Sequence, residues 1–329
     1  MSTGDAGGSV LVTRRFPDGS TRPLLDAGLG VEQWQADEPM AREVLLRKVG
    51  GVQAILASIT ERIDKELLDA APALRVVAEY GVGYDNIDVE ACSRRRVVVC
   101  NTPGVLAETT ADLTWSLILT VGRRIGEAID HVKAGQWQGW DPNVLLGQDV
   151  HHRTLGIVGL GAIGWQVARR ALGFDMRVLY YSAHRHPERE AEAPVAYADL
   201  ETLLRESDFV SVHAAYSAAT HHMFSDEQLR LMKSSAYLIN VARGGLVDQQ
   251  AIYAACRDGQ IAGAALDVTD PEPMAADDPL LRLPNVIVVP HIGSATVATR
   301  IRMGNLASDN IVAVLKGSPP PTPVNLDRL

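Results

Sequence analysis

The chain has 329 residues, of which 47% are hydrophobic and 22% are charged, and its formal net charge is −9. This length predicts two domains, and the ordinary composition excludes a disordered protein. The acidic balance, with no run of Lys and Arg, argues against a nucleic-acid partner, and it means that a site for an anionic substrate must carry its own cation.

The cysteines and the N-terminal sequence indicate the compartment. Cys92, Cys100 and Cys256 are far apart and form no CxxC pair, which is typical of a reducing cytosol and argues against both a disulfide framework and a zinc site. The start MSTGDAGGSV lacks the basic and apolar parts of a signal peptide. No apolar run approaches the ~20 residues that a membrane helix needs. We therefore expect a cytoplasmic protein without a membrane partner.

Short β-branched runs alternate with helical patterns along most of the chain. The predicted strands of the first part are residues 10–13, 52–58, 74–80 and 96–100. The alternation resumes with predicted strands at 154–160, 176–181, 209–214, 236–242, 263–268 and 285–290. Nearly continuous apolar strands separated by helices predict parallel sheets covered on both faces. The sequence therefore predicts an α/β protein of two units, the second of them larger.

Two further helical patterns lie outside this alternation. Residues 107–135, AETTADLTWSLILTVGRRIGEAIDHVKAG, predict one long helix with Thr109 or Thr110 as its N-cap, followed by the irregular segment QWQGWDPNVLLGQ. The last predicted helix, ATRIRMGNLASDNIVAVLKG, ends at Gly317, and the tail SPPPTP behind it is interpreted as a solvated end.

The segment GLGAIG contains Gly159, Gly161 and Gly164 in the GxGxxG spacing. It directly follows a predicted strand and opens a predicted helix, which is the context in which glycines let the backbone approach a pyrophosphate. The amide groups at such a helix start face an anion. A tight turn without a ligand and a methyltransferase with a similar loop are the alternatives.

The end of the next predicted strand bears on the type of cofactor. In VLYYSAHRHPER, Ser182 occupies the place where NAD enzymes have Asp or Glu to bind the ribose hydroxyls. A carboxylate would repel a 2′-phosphate, whereas a serine followed by Arg185 would accept one. The pattern favours NADP(H), with NAD(H) as the alternative, unless Arg185 simply lies on the surface.

Four chemically active side chains follow the later predicted strands: Arg243, Asp267, Glu272 and His291. Ligands of open parallel sheets bind outside the carboxyl ends of the strands, so these residues should converge on the dinucleotide side. An arginine fork can hold a 2-oxo acid by its carboxylate and carbonyl oxygens. A protonated His291 can give its proton to that carbonyl, with Glu272 orienting the imidazole. Each residue alone also has a structural explanation, as a cap or a turn residue, but four together at successive strand ends favour catalysis.

Several segments resemble signatures of the D-isomer-specific 2-hydroxyacid dehydrogenases: GLGAIG, NVARGGLVD, ALDVTDPEP and PHIGSAT. The resemblance extends from about residue 50 to about residue 317. Within this family, the glyoxylate and hydroxypyruvate reductases are the most similar, through LDVTDPEP, PLLRLPN and PHIGSATVATR.

The resemblance implies an arrangement of two doubly wound parallel-sheet domains. The larger would be a Rossmann dinucleotide-binding domain, residues 102–295, inserted into a flavodoxin-like substrate domain, residues 1–101 and 296–329. It also implies a homodimer built on a region from about residue 112 to about residue 150.

The resemblance also implies roles for individual residues. His291 would be the proton donor, Glu272 its partner, and Arg243 the substrate clamp, while Asp267 would orient the nicotinamide amide. The implied substrate-binding residues are Val82, Gly83, Arg243, Ser294 and Trp140, the last reaching the neighbouring subunit's pocket. The implied cofactor-binding residues are Thr109, Gly159, Gly161, Ala162, Ile163, Gly164, Ser182, Arg185, Val241, Asp267 and Gly293, and no metal is implied.

The predicted reaction is reduction of glyoxylate or hydroxypyruvate by NAD(P)H to the D-2-hydroxy acid. Ala183 stands where related NADP-using reductases often have a second arginine, and HAAYSAAT replaces a commoner proline-containing loop near the adenosine. One alternative is a nucleotide-sensing protein like the co-repressor members of the family. Another is a dehydrogenase of phosphite, although EYGVGYDN lacks the lysine of that enzyme. Formate dehydrogenase is disfavoured by Pro290, where that enzyme's pattern has glutamine.

Overall fold

The computed structural model describes residues 8–329, which form two compact units. Unit 1 comprises the described residues up to Leu106 together with Ser294–Leu329, and unit 2 is Ala107–Gly293. Unit 2 is thus inserted into unit 1 along the chain.

Unit 1 contains one parallel sheet, and its strands alternate with helices along the sequence. Its strands are β1 Ser9–Val12, β2 Gly30–Gln33, β3 Ala54–Ala57, β4 Val76–Glu79 and β5 Val98–Cys100. Its helices are α1 Arg22–Asp26, α2 Arg42–Lys48, α3 Lys65–Ala70, α4 Val89–Arg94 and, following unit 2, α12 Val297–Leu315. The strand order is β2-β1-β3-β4-β5, which is the flavodoxin-like order.

The C-terminal tail is part of unit 1, so the prediction of a solvated end was wrong. Helix α12 ends as expected, with Gly317 in the left-handed region at φ +75°. Beyond it, the Val324 amide donates to the Val99 carbonyl (2.7 Å), and the buried Asn325 accepts from the Val99 amide (2.8 Å). The tail therefore satisfies polar backbone groups of the edge strand β5, which its proline-rich composition does not reveal.

Unit 2 contains the longer sheet. Its strands are β6 Thr154–Val158, β7 Arg177–Tyr181, β8 Val195–Tyr197, β9 Phe209–Val212, β10 Tyr237–Asn240, β11 Gly263–Leu266 and β12 Val286–Val288. Its helices are α5 Ala107–Gly122, α6 Ile125–Lys133, α7 Ala162–Ala171, α8 Pro187–Glu192, α9 Leu200–Glu206, α10 Asp226–Leu231 and α11 Gln249–Arg257.

The sheet of unit 2 has the order β12-β11-β10-β9-β6-β7-β8, with every pair of neighbours parallel. One apolar core packs Trp115 of α5 and Val167 of α7 on one face, and a second packs Leu203 of α9 and Ile252 of α11 on the other. The direction of strand succession reverses between β6 and β9, which is the topological switch point of a Rossmann sheet. The predicted α/β class, with a Rossmann unit inserted into a flavodoxin-like unit, is confirmed.

The predicted long helix over residues 107–135 is in fact two helices, α5 and α6. Arg124 between them has φ +52°, and the Gln148 amide donates to the Gly122 carbonyl (2.8 Å), which would otherwise accept within a continuous helix. The N-cap prediction was also wrong, because α5 begins at Ala107, so Thr109 and Thr110 lie inside it. The buried Thr110 packs beside Gly293 instead.

Two features are absent from residues 8–329: a membrane-spanning helix and a cluster of metal-binding side chains. No helix in this range has both the length and the apolar character needed to cross a bilayer. The same range contains no group of three or more His, Cys, Asp and Glu side chains placed to hold a metal ion.

Candidate active site

The glycine loop between β6 and α7 has the shape that a dinucleotide requires. Gly159 has φ +100°, and a Cβ there would lie 2.6 Å from backbone atoms of His213 and Ala214, so only glycine fits. A Cβ at Gly161, the N-cap of α7, would meet no atom within 4 Å, which leaves open space at the helix start. Ala162, Ile163 and Gly164 form the first turn of α7 beside that space. These residues fit a pyrophosphate bound at a helix N-terminus.

His213, whose backbone packs against Gly159 of the glycine loop, is uncharged. Burial lowers the pKa of His213 to about 3, so the imidazole stays neutral at physiological pH. Its Nε2 atom lies 2.8 Å from the Ser211 hydroxyl, and its backbone amide donates to the Val158 carbonyl (2.7 Å). His213 therefore joins β9 to β6 at the switch point and adds no charge to the loop.

Ser182 follows β7 directly, where the sequence analysis placed the ribose site, and no carboxylate occupies that position. Arg185 is held by Glu190 through two hydrogen bonds, from Nε (2.8 Å) and from Nη2 (2.6 Å). Glu190 also accepts from the Tyr180 hydroxyl (2.6 Å). Arg185 and then Tyr180 lower the pKa of Glu190 to about 2, so it stays negatively charged. The predicted phosphate ligand Arg185 thus has an anionic partner in its own unit.

Arg243 is fixed at the carboxyl end of β10 by the buried Asn240. The Asn240 side chain donates to the Arg243 carbonyl (2.9 Å) and accepts from the Ala242 amide (3.1 Å). The Arg243 Nη1 donates to the Ala242 carbonyl (3.0 Å), and the side chain is half-buried. Gly244 packs directly against the Thr269 backbone, so the turn after β10 touches the segment after β11.

Asp267, at the end of β11, organises the loop that carries His291. Its side chain is 2% exposed and accepts from the Ile292 amide (2.6 Å) and the Gly293 amide (2.9 Å). Its backbone carbonyl accepts from the His291 amide (2.9 Å). Burial raises the pKa of this carboxyl, and the two amide donors act in the opposite direction.

His291 and Glu272 form a direct pair, with Nδ1 and Oε1 separated by 2.6 Å. The His291 side chain is 26% exposed, so it remains accessible. His291 has φ +51°, in the left-handed region that few non-glycine residues adopt. The hydrogen bonds of the Asp267 loop hold this backbone, and unusual backbone at a polar side chain is a feature of functional sites.

The remaining predicted residues occupy several places. Val82 and Gly83 follow β4 in unit 1, where Asn101 donates to the Val82 carbonyl (2.8 Å), and Ser294 also belongs to unit 1. In unit 2, Val241 is buried after β10, and Thr109 lies in α5. Trp140, between α6 and β6, is 88% exposed. Unit 2 therefore brings Arg243, Asp267, Glu272 and His291 to one edge of its sheet, whereas Val82, Gly83 and Ser294 come from unit 1.

Sequence reasoning missed three residues that shape this edge. Asn240 is a buried amide at the end of an apolar strand, and that unusual position was a usable signal. Thr110 packs beside Gly293 from α5, and Arg189 of α8 donates to the Leu160 and Gly161 carbonyls. Neither contact has a sequence signal, because each joins segments far apart in the chain.

The chemistry available at this edge is proton transfer beside an anion clamp. A histidine held by a carboxylate can donate or accept a proton, and an arginine fork can bind a carboxylate. The open space at Gly161 lies at the carboxyl edge of the same parallel sheet.

Comparison with known proteins gives a consistent family assignment. The description "D-isomer specific 2-hydroxyacid dehydrogenase, NAD binding domain" matches residues 115–293. A protein named glyoxylate reductase from Korarchaeum cryptofilum is 47% identical over 96% of this chain and 95% of its own length. Another of that name from Thermococcus kodakarensis is 48% identical over 96% of each chain.

One of the similar solved structures contains a bound cofactor. The NADPH-dependent glyoxylate/hydroxypyruvate reductase from Sinorhizobium meliloti, in complex with NADP and malonate, has a TM-score of 0.84 and 31% identity, covering 97% of each chain. The match of the nucleotide-binding domain and the full-length similarity agree with the Rossmann sheet, the glycine loop and the His291–Glu272 pair. The chain belongs to the D-isomer specific 2-hydroxyacid dehydrogenases, a family of oxidoreductases that use a nicotinamide dinucleotide.

Proposed function

We propose that the protein reduces a small 2-oxo acid, glyoxylate or hydroxypyruvate, to the D-2-hydroxy acid. The observation that carries this proposal is the 2.6 Å contact between His291 Nδ1 and Glu272 Oε1, at the same sheet edge as Arg243 and the glycine loop. The Thermococcus kodakarensis relative, which is 48% identical to this chain, is named glyoxylate reductase. The Sinorhizobium meliloti protein is named for both acids.

Each residue of the set has one task in the proposed reaction. When bound, the reduced nicotinamide supplies the hydride that reaches the carbonyl carbon. We assign proton donation to His291 Nε2, because Nδ1 faces the Glu272 carboxylate, which stabilises the charged imidazolium. The proton goes to the carbonyl oxygen, which becomes the hydroxyl of the product.

The remaining residues bind and orient the reactants. Arg243 is assigned to the carboxylate and carbonyl oxygens of the acid, because a planar fork can hold both. The backbone N–H groups of Val82 and Gly83, with Ser294, are assigned to the substrate carboxylate. Asp267 is assigned to the nicotinamide amide, in addition to its bonds to the loop. These assignments follow the family resemblance and the position of each residue within its unit.

NADP(H) is the proposed preferred cofactor, with NAD(H) as the alternative. Ser182 follows β7 where a carboxylate would repel the 2′-phosphate of NADP(H). The Sinorhizobium meliloti relative, with its bound NADP, is named NADPH-dependent.

The test is the loss of reduced-nicotinamide absorbance, with NADPH and NADH in parallel, against glyoxylate, hydroxypyruvate, pyruvate and phenylpyruvate. We expect fast NADPH oxidation with glyoxylate or hydroxypyruvate and almost none with a His291→Ala protein. Cofactor binding without turnover of any acid would reject the proposal in favour of a nucleotide sensor. NAD(P)⁺ reduction by phosphite would reject it in favour of the other alternative.

We also propose that two copies of the chain associate through α6 and the segment that follows it. Ile125, Ile129 and Val132 lie at helical spacing and are 41%, 47% and 54% exposed, and the segment after α6 carries the exposed Trp137 and Leu146. The 88% exposed Trp140 would then reach the substrate pocket of the partner subunit.

This association is tested by light scattering after size exclusion. We expect a dimer for the unaltered protein and a monomer for Ile129→Asp, with Leu25→Asp, at an exposed leucine of unit 1, as the matched control. A dimer that survives Ile129→Asp would move the interface elsewhere.

A further inference from the structure

We propose that Arg189, rather than Arg185, selects between the 2′-phosphorylated and the unphosphorylated dinucleotide. The inference rests on the proposed function, since it refines how unit 2 holds the cofactor. The two arginines that follow β7 have different partners.

Arg185 is engaged by an acidic partner. Its Nε and Nη2 atoms donate to the two carboxylate oxygens of Glu190, at 2.8 Å and 2.6 Å. Glu190 is itself fixed by the hydroxyl of the buried Tyr180 (2.6 Å), which also accepts from the His186 amide (2.8 Å). The positive charge of Arg185 is therefore balanced, and a phosphate would have to compete with a two-point ion pair.

Arg189, in the first turn of α8, has different partners. Its Nη1 donates to the Leu160 carbonyl and to the Gly161 carbonyl (2.9 Å), both in the glycine loop. Its guanidinium carbon lies 5.5 Å from the centre of the Trp165 ring of α7. These contacts place a half-buried cation against the loop that begins the dinucleotide site.

No carboxylate of the described residues is in contact with the Arg189 guanidinium, and the neighbouring Glu188 interacts with it only at longer range. Within residues 8–329, no carboxylate forms an ion pair with Arg189, and the neighbouring Glu188 lies 3.1 Å from His186 Nδ1 instead. An arginine has five N–H donors, and the two carbonyls use those of Nη1. Neither Nε nor Nη2 of Arg189 donates to a protein acceptor in the described part of the chain, so they remain for a ligand.

The two arginines therefore differ in what they offer a phosphate. The segment from Ser182 to Glu190 carries a balanced Arg185–Glu190 pair, whereas Arg189 adds a positive charge that is already oriented by the loop. A pre-oriented side chain loses little conformational freedom on binding. A phosphate group on the adenosine ribose would gain a charge-assisted hydrogen bond from Arg189, and a bare ribose would not.

The experiment measures binding of 2′,5′-ADP and of ADP to the full chain by calorimetry, without any substrate. Arg189→Gln should weaken 2′,5′-ADP by about 10- to 100-fold, and ADP by less than about 3-fold. The double variant Arg185→Gln/Glu190→Gln, which removes the pair without leaving an unpaired carboxylate, should change 2′,5′-ADP binding by less than about 3-fold. Arg205→Gln, which removes an exposed arginine paired with Glu201, controls for the loss of a surface charge. The ratio of KM for NADPH to KM for NADH should rise only in Arg189→Gln.

A second variant does not depend on the integrity of the glycine loop. Glu190→Gln releases Arg185 from its pair, so it should tighten 2′,5′-ADP by about 3- to 10-fold without affecting ADP. No change in this variant would contradict the claim that Glu190 occupies Arg185.

The possible results distinguish failure of the inference about Arg189 from failure of the proposed function. Equal weakening of 2′,5′-ADP and ADP in Arg189→Gln would overturn the inference, because Arg189 would then only position the loop. A selective loss in the double variant Arg185→Gln/Glu190→Gln would overturn it in favour of Arg185. Failure of the unaltered protein to bind either nucleotide, or to oxidise NADPH and NADH, would reject the proposed function itself, and the inference with it.

Discussion

Replacing Asp267 by Asn tests whether one buried carboxylate holds the loop that carries His291. Asp267 is 2% exposed, and its two side-chain oxygens accept from the Ile292 and Gly293 amides at 2.6 Å and 2.9 Å. An asparagine has nearly the same shape but offers one acceptor oxygen and one NH₂ group. Its NH₂ group would therefore face a backbone N–H that has lost its acceptor.

The magnitude follows from these two bonds. A hydrogen bond to a charged group contributes about 1.5–3 kcal/mol, and leaving a buried donor unpaired costs about 1–3 kcal/mol. Burial raises the pKa of Asp267, so removing the charge relieves part of the cost of keeping it out of water. We expect a net loss of about 2 kcal/mol in the free energy of unfolding of unit 2.

The assay is urea unfolding followed by tryptophan fluorescence. This signal reports mainly on unit 2, which contains Trp115, Trp137, Trp140 and Trp165 of the five tryptophans. Asp248→Asn is the matched control, because the half-buried Asp248 also accepts from two backbone amides, those of Gln250 and Ala251 at the start of α11. Asparagine caps a helix about as well as aspartate, so this control should change stability by less than about 0.5 kcal/mol.

Turnover should fall in Asp267→Asn together with stability, since the His291 amide also bonds to the Asp267 carbonyl. Equal stabilities of the Asp267→Asn and Asp248→Asn proteins would refute the reasoning, because the carboxylate would then contribute no more than a helix cap does.

Three further substitutions test the site. His291→Ala should lower kcat by about 10²- to 10⁴-fold with unchanged cofactor affinity in calorimetry, and near-normal turnover would remove it as proton donor. Arg243→Lys should raise KM for glyoxylate by about 10-fold, because lysine lacks the planar fork, and unchanged steady-state constants would reject the clamp. Gly161→Ala should weaken NADPH binding, since its Cβ enters the open space at the start of α7. Its φ of −77° suits alanine, so the unfolding free energy should stay within about 1 kcal/mol, and unaltered NADPH affinity would place the cofactor elsewhere.

The central strands could be predicted from the sequence, whereas the edge strands β2 and β8 could not. Strands β3, β4 and β9 are buried along their whole length, so their apolar composition identifies them. Strand β2 alternates exposed and half-buried residues, and β8 has only one buried residue of its three. The edge strands β5 and β12 have apolar runs and are predicted, whereas β2 and β8 pair on one side only with little apolar composition, so the pattern does not identify them.

At the site, the sequence predicts which residues follow the strands, but it does not predict contacts between segments that are far apart in the chain. Arg243, Asp267 and His291 follow strands of one parallel sheet, so their approach to a common edge could be predicted from the order of the strands. The contact of Arg189 with Gly161 depends instead on how α8 packs beside the glycine loop, which no spacing encodes. The pattern around Ser182 predicts a site for a ribose phosphate, but it cannot say which arginine is already paired. Glu190 distinguishes the two arginines, because it forms an ion pair with Arg185, whereas Arg189 donates to the glycine loop. The proposal therefore makes cofactor preference depend on the ion pairing around α8, and measurements on variants of those side chains test it.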